Sequence, residues 1–234
     1  DNIQQFEPVS TNPADSVALV SLYNATNNVG WSNRSGWEFI DGVGSPINVQ
    51  QWFGVTVNGA GRVTRLDLSE NNLNGSIPDE IGNLTELTHL IFGLEGKSGS
   101  DFSESTLPAS IGNLSKLEVL GLADCQLTGD LPSEISTLSS LRRIDLALNQ
   151  FTSIPTTIDN LTNLTYVGFG FNQFTSIPSS LYNLSIVDTL IISGNQLTGV
   201  IPAEIGNMTS LQLLNIGGNS FESTLPPSVG NHVN

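Results

Sequence analysis

The feature that most constrains this chain is a repeat. Residues 187–210, VDTLIISGNQLTGVIPAEIGNMTS, overlay residues 117–140, LEVLGLADCQLTGDLPSEISTLSS, without a gap. Apolar residues fall at positions 1, 4, 6 and 11 of a shared template, Asn or Cys at position 9, and Ile/Leu-Pro at about position 15. A segment this short cannot bury its apolar face alone, so each copy needs another on either side. The chain is therefore one continuous body, with its core running along the axis of the stack.

Laid out on the template, units begin at Val63, Leu87, Leu117, Leu141, Leu164, Val187 and Leu211. They lie 23 or 24 residues apart, except for the 30 between Leu87 and Leu117. The pattern L-x-x-L-x-L-x-x-N/C-x-L recurs, and it is followed by L-x-G-x-I-P-x-x-I-G-N-L/M at residues 73–84 and 197–208. These motifs resemble plant-type leucine-rich repeats, found in receptor-kinase ectodomains and polygalacturonase-inhibiting proteins, with similar repeats in bacterial and protist surface proteins. The resemblance implies an α/β solenoid, a right-handed horseshoe with a parallel concave sheet and an N-terminal helical and aromatic cap. It also implies a secreted or cell-surface location. On this layout residues 1–62 are lead-in and cap, and residues 63–234 are seven repeats.

The cap has its own signals. Asn12-Pro13-Ala14-Asp15 supplies a capping side chain, a proline for the first turn and an acid at the positive end of the helix dipole. Val17, Val20 and the pairs Ala18/Leu22 and Leu19/Tyr23 sit at helical spacing, predicting a helix over about 12–25. An aromatic cluster follows over residues 31–53: Trp31, Trp37, Phe39, Trp52 and Phe53. The segment resembles the plant-type cap C-x-W-x-G-V-x-C, but Gln50 and Val57 stand where that motif has its cysteines. Aromatic burial must then seal this end of the core.

Composition narrows the partners. The net charge of −15, from 22 acidic against 7 basic residues, disfavours nucleic acid and anionic membrane. No apolar run is long enough to cross a bilayer. No charged-then-apolar leader precedes Asp1, so any signal peptide is expected to lie upstream, and the stack is expected to continue or to be covered beyond Asn234. The lone cysteine, Cys125, takes template position 9, where the other repeats carry Asn71, Asn149, Asn172, Asn195 and Asn219. It reads as a structural, inward-facing residue. Nothing suggests a metal or another cofactor.

Along each strand, positions 4 and 6 point inward and positions 3, 5 and 7 outward. The seventh-position row, Ser69, Gly93, Ala123, Ala147, Gly170, Ser193 and Gly217, is uniformly small. This fits either a smooth trough for a ligand or relief of crowding on a concave surface. Position 8, at the edge of that face, varies most and includes the neighbours Leu148 and Phe171. Together with Arg143, Asp145 and Tyr166 they have the make-up of a binding hot spot. The insertion at about 94–106, carrying Lys97, is expected to project as a loop beside the binding face.

Other readings remain. Thr128, Thr152, Thr175 and Thr198 form a one-per-repeat file at a spacing of roughly 4.8 Å, an arrangement compatible with ice binding. Sequons such as Asn83, Asn160 and Asn207 come with the I-G-N-L-T/S phrase and prove nothing about glycosylation. The two histidines, His89 and His232, are far apart in the repeat order, so no nucleophile–base set can be assembled and an enzyme ranks last. The expected function is non-catalytic recognition of a protein or glycan on the concave face and insertion loop. Ice binding and a structural or adhesive spacer are the alternatives.

Overall fold

The computed structural model describes residues 12–37, 49–103, 105–222 and 225–228. Helix α1, Pro13–Ala25, starts as its sequence demands, with the Asn12 side chain accepting from the Ala14 amide at 3.0 Å. Ala18, Leu19, Leu22 and Tyr23 face the core, while Val17 is exposed on the opposite side. Asp15 does more than complement the helix dipole. It is fully buried, accepts from the Arg62 guanidinium at 3.0–3.1 Å and takes the Val63 amide at 2.7 Å. A buried carboxylate persists only when paired in this way, and the pairing ties the cap to the first repeat strand.

The aromatic seal forms around Trp37, whose ring centroid lies 4.6 Å from that of Trp52, 4.9 Å from Trp31 and 6.0 Å from Tyr23. Buried indole N–H groups need acceptors. Trp31 donates to the Thr26 carbonyl and Trp37 to the Phe53 carbonyl. Val57 packs against this core, and Phe39 lies outside the described residues.

The strands are β1 (Val55–Val57), β2 (Val63–Asp67), β3 (His89–Gly93), β4 (Val119–Leu122), β5 (Thr128–Gly129) and β6 (Arg143–Asp145). They continue as β7 (Gln150–Phe151), β8 (Tyr166–Gly168), β9 (Thr189–Ile191), β10 (Thr198–Gly199), β11 (Leu213–Asn215) and β12 (Ser220–Phe221). One sheet runs β1-β2-β3-β4-β6-β8-β9-β11, antiparallel only between β1 and β2. Its parallel register joins Arg65, His89, Val119, Arg143, Tyr166, Thr189 and Leu213 in one row, as the template aligns them. On the opposite side each of the first six repeats makes a short 3-10 turn, such as Ser133–Thr137 and Ala203–Asn207; five are entered through an extended proline, and Ile158–Asn160 follows Thr157 instead. The segments between proline and the next strand are too short for α-helix, and tight turns serve instead.

Position 9 stitches the repeats together. The Asn149 amide donates to the carbonyls of Leu122 and Leu146, and its Oδ1 accepts from the Leu127 amide. Asn172, Asn195 and Asn219 repeat the pattern against the repeat before them. Each satisfies backbone groups that strand pairing leaves unpaired in the interior. Cys125 fills the same place with weak contacts to the Ala123 carbonyl and the Ser100 backbone, and burial pushes its thiol pKa up to about 12. The inserted repeat lacks the Asn altogether. There Phe102 is buried edge-on to Phe92, and its amide bonds to the Cys125 carbonyl.

The threonines do not stack in a single register. Thr128 on β5 lies opposite Gln150 of β7, and Thr198 on β10 lies opposite Ser220. The Thr128 hydroxyl donates to the Ser105 carbonyl and that of Thr152 to Asp130 at 2.6 Å. The Asn149 side chain bonds to the Leu127 amide just before Thr128, so Gln150 and not Thr152 comes opposite Thr128.

Candidate ligand-binding face

The insertion does not project freely. Residues 94–100 fold back as a strap across the open face of the sheet, because Gly93 and Gly99 let it press on the backbone of Ala123 and Asp124. A Cβ on Gly93 would come within contact-forbidding distance of the Ala123 carbonyl, so no other residue serves there. At one end the Ser98 carbonyl accepts from the Glu70 amide, while Lys97 Nζ sits 3.2 Å from Ser69 Oγ and 3.6 Å from Asp67. Burial works against the Asp67 charge, but hydrogen bonds from Ser69 and Arg65 with the nearby Lys97 hold its pKa below the usual value. Lys97 is thus turned toward the first repeat at the edge of the face, on an insertion that was expected to project.

At the other end the strap meets the fourth and fifth repeats. The Glu95 amide donates to Asp145 Oδ2 at 3.1 Å, and the Glu95 carboxylate accepts from the Tyr166 hydroxyl at 3.1 Å and lies 3.5 Å from Arg143 Nη2. Arg143 also binds Asp145 at 3.0 Å, and its guanidinium stacks 3.5 Å above the Tyr166 ring. Gly168 leaves the space that the Asp145 carboxylate and Tyr166 ring occupy. Burial, followed by the charge of Asp145, raises the Tyr166 hydroxyl pKa far above the ordinary tyrosine range.

One expected contact changes role here. Asp145 is only 1% exposed, covered by the strap, so it is a buried support for Arg143 and Glu95 and not a surface contact. The neighbouring Ile91 is also buried, although its row faces outward elsewhere. Leu148 and Phe171 are exposed, at 51% and 58%. Strap and sheet together enclose a hollow of about 480 Å3, lined among others by Leu94, Glu95, Asp124, Leu148, Phe171 and Ile191.

The backbone under Leu148 and Phe171 is unusual. Position 8 is left-handed in every repeat except the inserted one: φ is 58° at Glu70, 55° at Asp124, 58° at Leu148, 56° at Phe171, and 66° at both Gly194 and Gly218. Bulky apolar residues pay roughly 1 kcal/mol or more to hold this conformation. The Phe171 ring lies against Gly194, where an added Cβ would come within 2.6 Å of it.

Glu95 is the member that sequence reasoning missed. Its one legible signal was position: it is the first acid after the inserted repeat's strand, beside the expected Lys97.

The repeat architecture is shared with known proteins. A model described as Leucine Rich Repeat matches residues 62–84, 116–138, 187–208 and 210–232. The chain is built from leucine-rich repeats. It is 40% identical over 87 residues to Receptor-like protein 41 of Arabidopsis thaliana, covering 37% of this chain and 10% of that protein. The ectodomain of the Arabidopsis thaliana membrane receptor kinase GASSHO1/SCHENGEN3, solved in complex with Casparian strip integrity factor 2, superposes with a TM-score of 0.80 at 30% identity. That match covers 93% of this chain and 25% of the receptor chain. A plant ice-binding protein shares the fold, with a TM-score of 0.72 at 23% identity over 90% of this chain and 73% of its own. This leucine-rich-repeat chain spans about a tenth of the curated relative and a quarter of the receptor ectodomain.

Proposed function

We propose that this leucine-rich-repeat chain is an extracellular, non-catalytic recognition module that holds a protein or glycan ligand in the hollow between strap and sheet. The observation that carries the reading is the pair Leu148 and Phe171. Both are exposed apolar side chains on left-handed backbone where the next two repeats have glycine. Strain kept at a position where folding would be easier without it is a mark of function. Around them lies a rim in which Arg143, Asp145, Tyr166 and Glu95 bond to one another, holding these side chains in place before a ligand arrives. The similarity to a receptor ectodomain solved with a bound factor supports the extracellular placement and the recognition role. The wall holds no nucleophile beside a base, which favours binding over chemistry.

The test is to screen a random displayed-peptide library and a glycan array against the full chain and a Leu148→Gly/Phe171→Gly double variant. The expected outcome is ligands captured by the parent and lost by the variant. Ligands held equally by both would move the site elsewhere.

A further inference from the structure

The hollow also indicates what kind of ligand it takes, an argument that rests on the recognition reading above. We infer that its occupant is a peptide segment presenting a bulky apolar side chain next to a basic one. The apolar half follows from the lining: Leu94 from the strap and Leu148, Phe171 and Ile191 from the repeats line the hollow, and Phe171 is more than half exposed. Aromatic and aliphatic surface held open to water in this way gains most by covering another apolar group.

The basic half follows from the charges. Three carboxylates line the hollow, Glu95, Asp124 and Asp145, against the single ammonium of Lys97. Lys97 is engaged by Asp67 and Ser69 at the far end of the strap. Arg143 lies against Tyr166, and its charge is taken up by Asp145 and Glu95. An anionic ligand would have to displace Glu95 from Arg143 and Tyr166 while Asp145 stayed buried beside it. A cation needs no such exchange. The Glu95 side chain is 67% exposed, and only its Oε2 is engaged by Tyr166 and Arg143, so Oε1 is open to a donor. The whole chain carries −15, so approach of a basic segment is steered by the long-range field as well. A glycan gains less from the charges, since a neutral sugar makes no use of the carboxylates, and one face of the Tyr166 ring is already covered by Arg143.

Three pools of random nonapeptides test this, each with a fixed central Phe flanked by Lys, Glu or Ser and read by fluorescence polarisation against the full chain. The Lys pool is expected to bind at least tenfold more tightly than the Glu pool. Its advantage should shrink about threefold in Glu95→Gln, which keeps the hydrogen-bond acceptor and removes the charge, and should fall as salt is raised. Equal binding of all pools that is lost in the Leu148→Gly/Phe171→Gly variant overturns the basic class and leaves the site standing. Lys-pool binding that survives that variant is non-specific attraction and overturns both. Binding by no pool, or glycan capture that depends on Phe171, overturns the peptide class.

Discussion

The fourth and fifth repeats and the sixth and seventh make the same bend at position 8. The first pair makes it with Leu148 and Phe171 at φ 58° and 56°, the second with Gly194 and Gly218 at 66°. The backbone is one solution, shared also by Glu70 and Asp124 in the first and third repeats. Only glycine occupies this region without steric cost, so the second pair follows the demands of folding and the first pair departs from them. The departure coincides with the strap: Glu95 reaches Arg143 and Tyr166 in the repeats that carry the strained residues. Comparing repeats that share a backbone therefore separates what the fold needs from what the surface is used for.

The sharpest way to break the comparison is Gly194→Leu. It adds left-handed strain and drives a Cβ toward the Phe171 ring, so stability in urea should fall by about 3 kcal/mol. Adding Phe171→Gly should recover roughly half of that loss, because the collision disappears and only the strain remains. The converse exchange, Phe171→Gly alone, should leave stability unchanged or raise it by up to about 1 kcal/mol. It should also weaken a captured ligand at least tenfold, measured by calorimetry. A variant that lost binding together with about 3 kcal/mol of stability would make Phe171 a folding residue. Gly218→Leu has no aromatic neighbour to strike and should cost only about 1 kcal/mol in the same urea titration.

The smallest effect belongs to Tyr166, which occupies the row filled by Thr189 and Leu213 in the glycine repeats. Its hydroxyl pKa is raised in the folded chain, so the folded state binds that proton more tightly than the unfolded one. The stability this represents is intact below the ordinary tyrosine pKa of about 10 and is lost as pH rises through the folded value. Tyr182, raised to about 12 by burial, contributes a slope of the same sign. Tyr166→Phe should therefore flatten part of the decline in thermal stability above about pH 10 and leave the Tyr182 part. An unchanged slope would mean that the strap opens before Tyr166 ionises.

Much of this was legible because repeats carry their own controls. The inward and outward rows follow from alternation along a strand, and the sheet register joins the residues that the template aligned, from Arg65 through Arg143 to Leu213. Arg143, Tyr166, Leu148 and Phe171 gather where neighbouring repeats place them. Asp145 was misjudged because exposure depends on what lies above a strand, and its cover comes from a segment 50 residues away in sequence. The threonine file is less regular than its spacing suggested, since Thr128 pairs with Gln150 and Thr198 with Ser220. Its one-per-repeat spacing is a property of the sequence, whereas the pairing depends on where neighbouring repeats bond, as Asn149 does to Leu127 beside Thr128.

The sequence by itself determined the stack, its period, the asparagine ladder and the aromatic seal, because each is a local pattern that must recur or cap for any apolar face to be buried. Only the tertiary structure decided the path of the strap, the burial of Asp145, the turn of Lys97 toward Asp67 and the meeting of Glu95 with Tyr166. The strap has no period to read. Its course is set by where Gly93 and Gly99 allow close approach and where opposite charges from distant repeats come within reach.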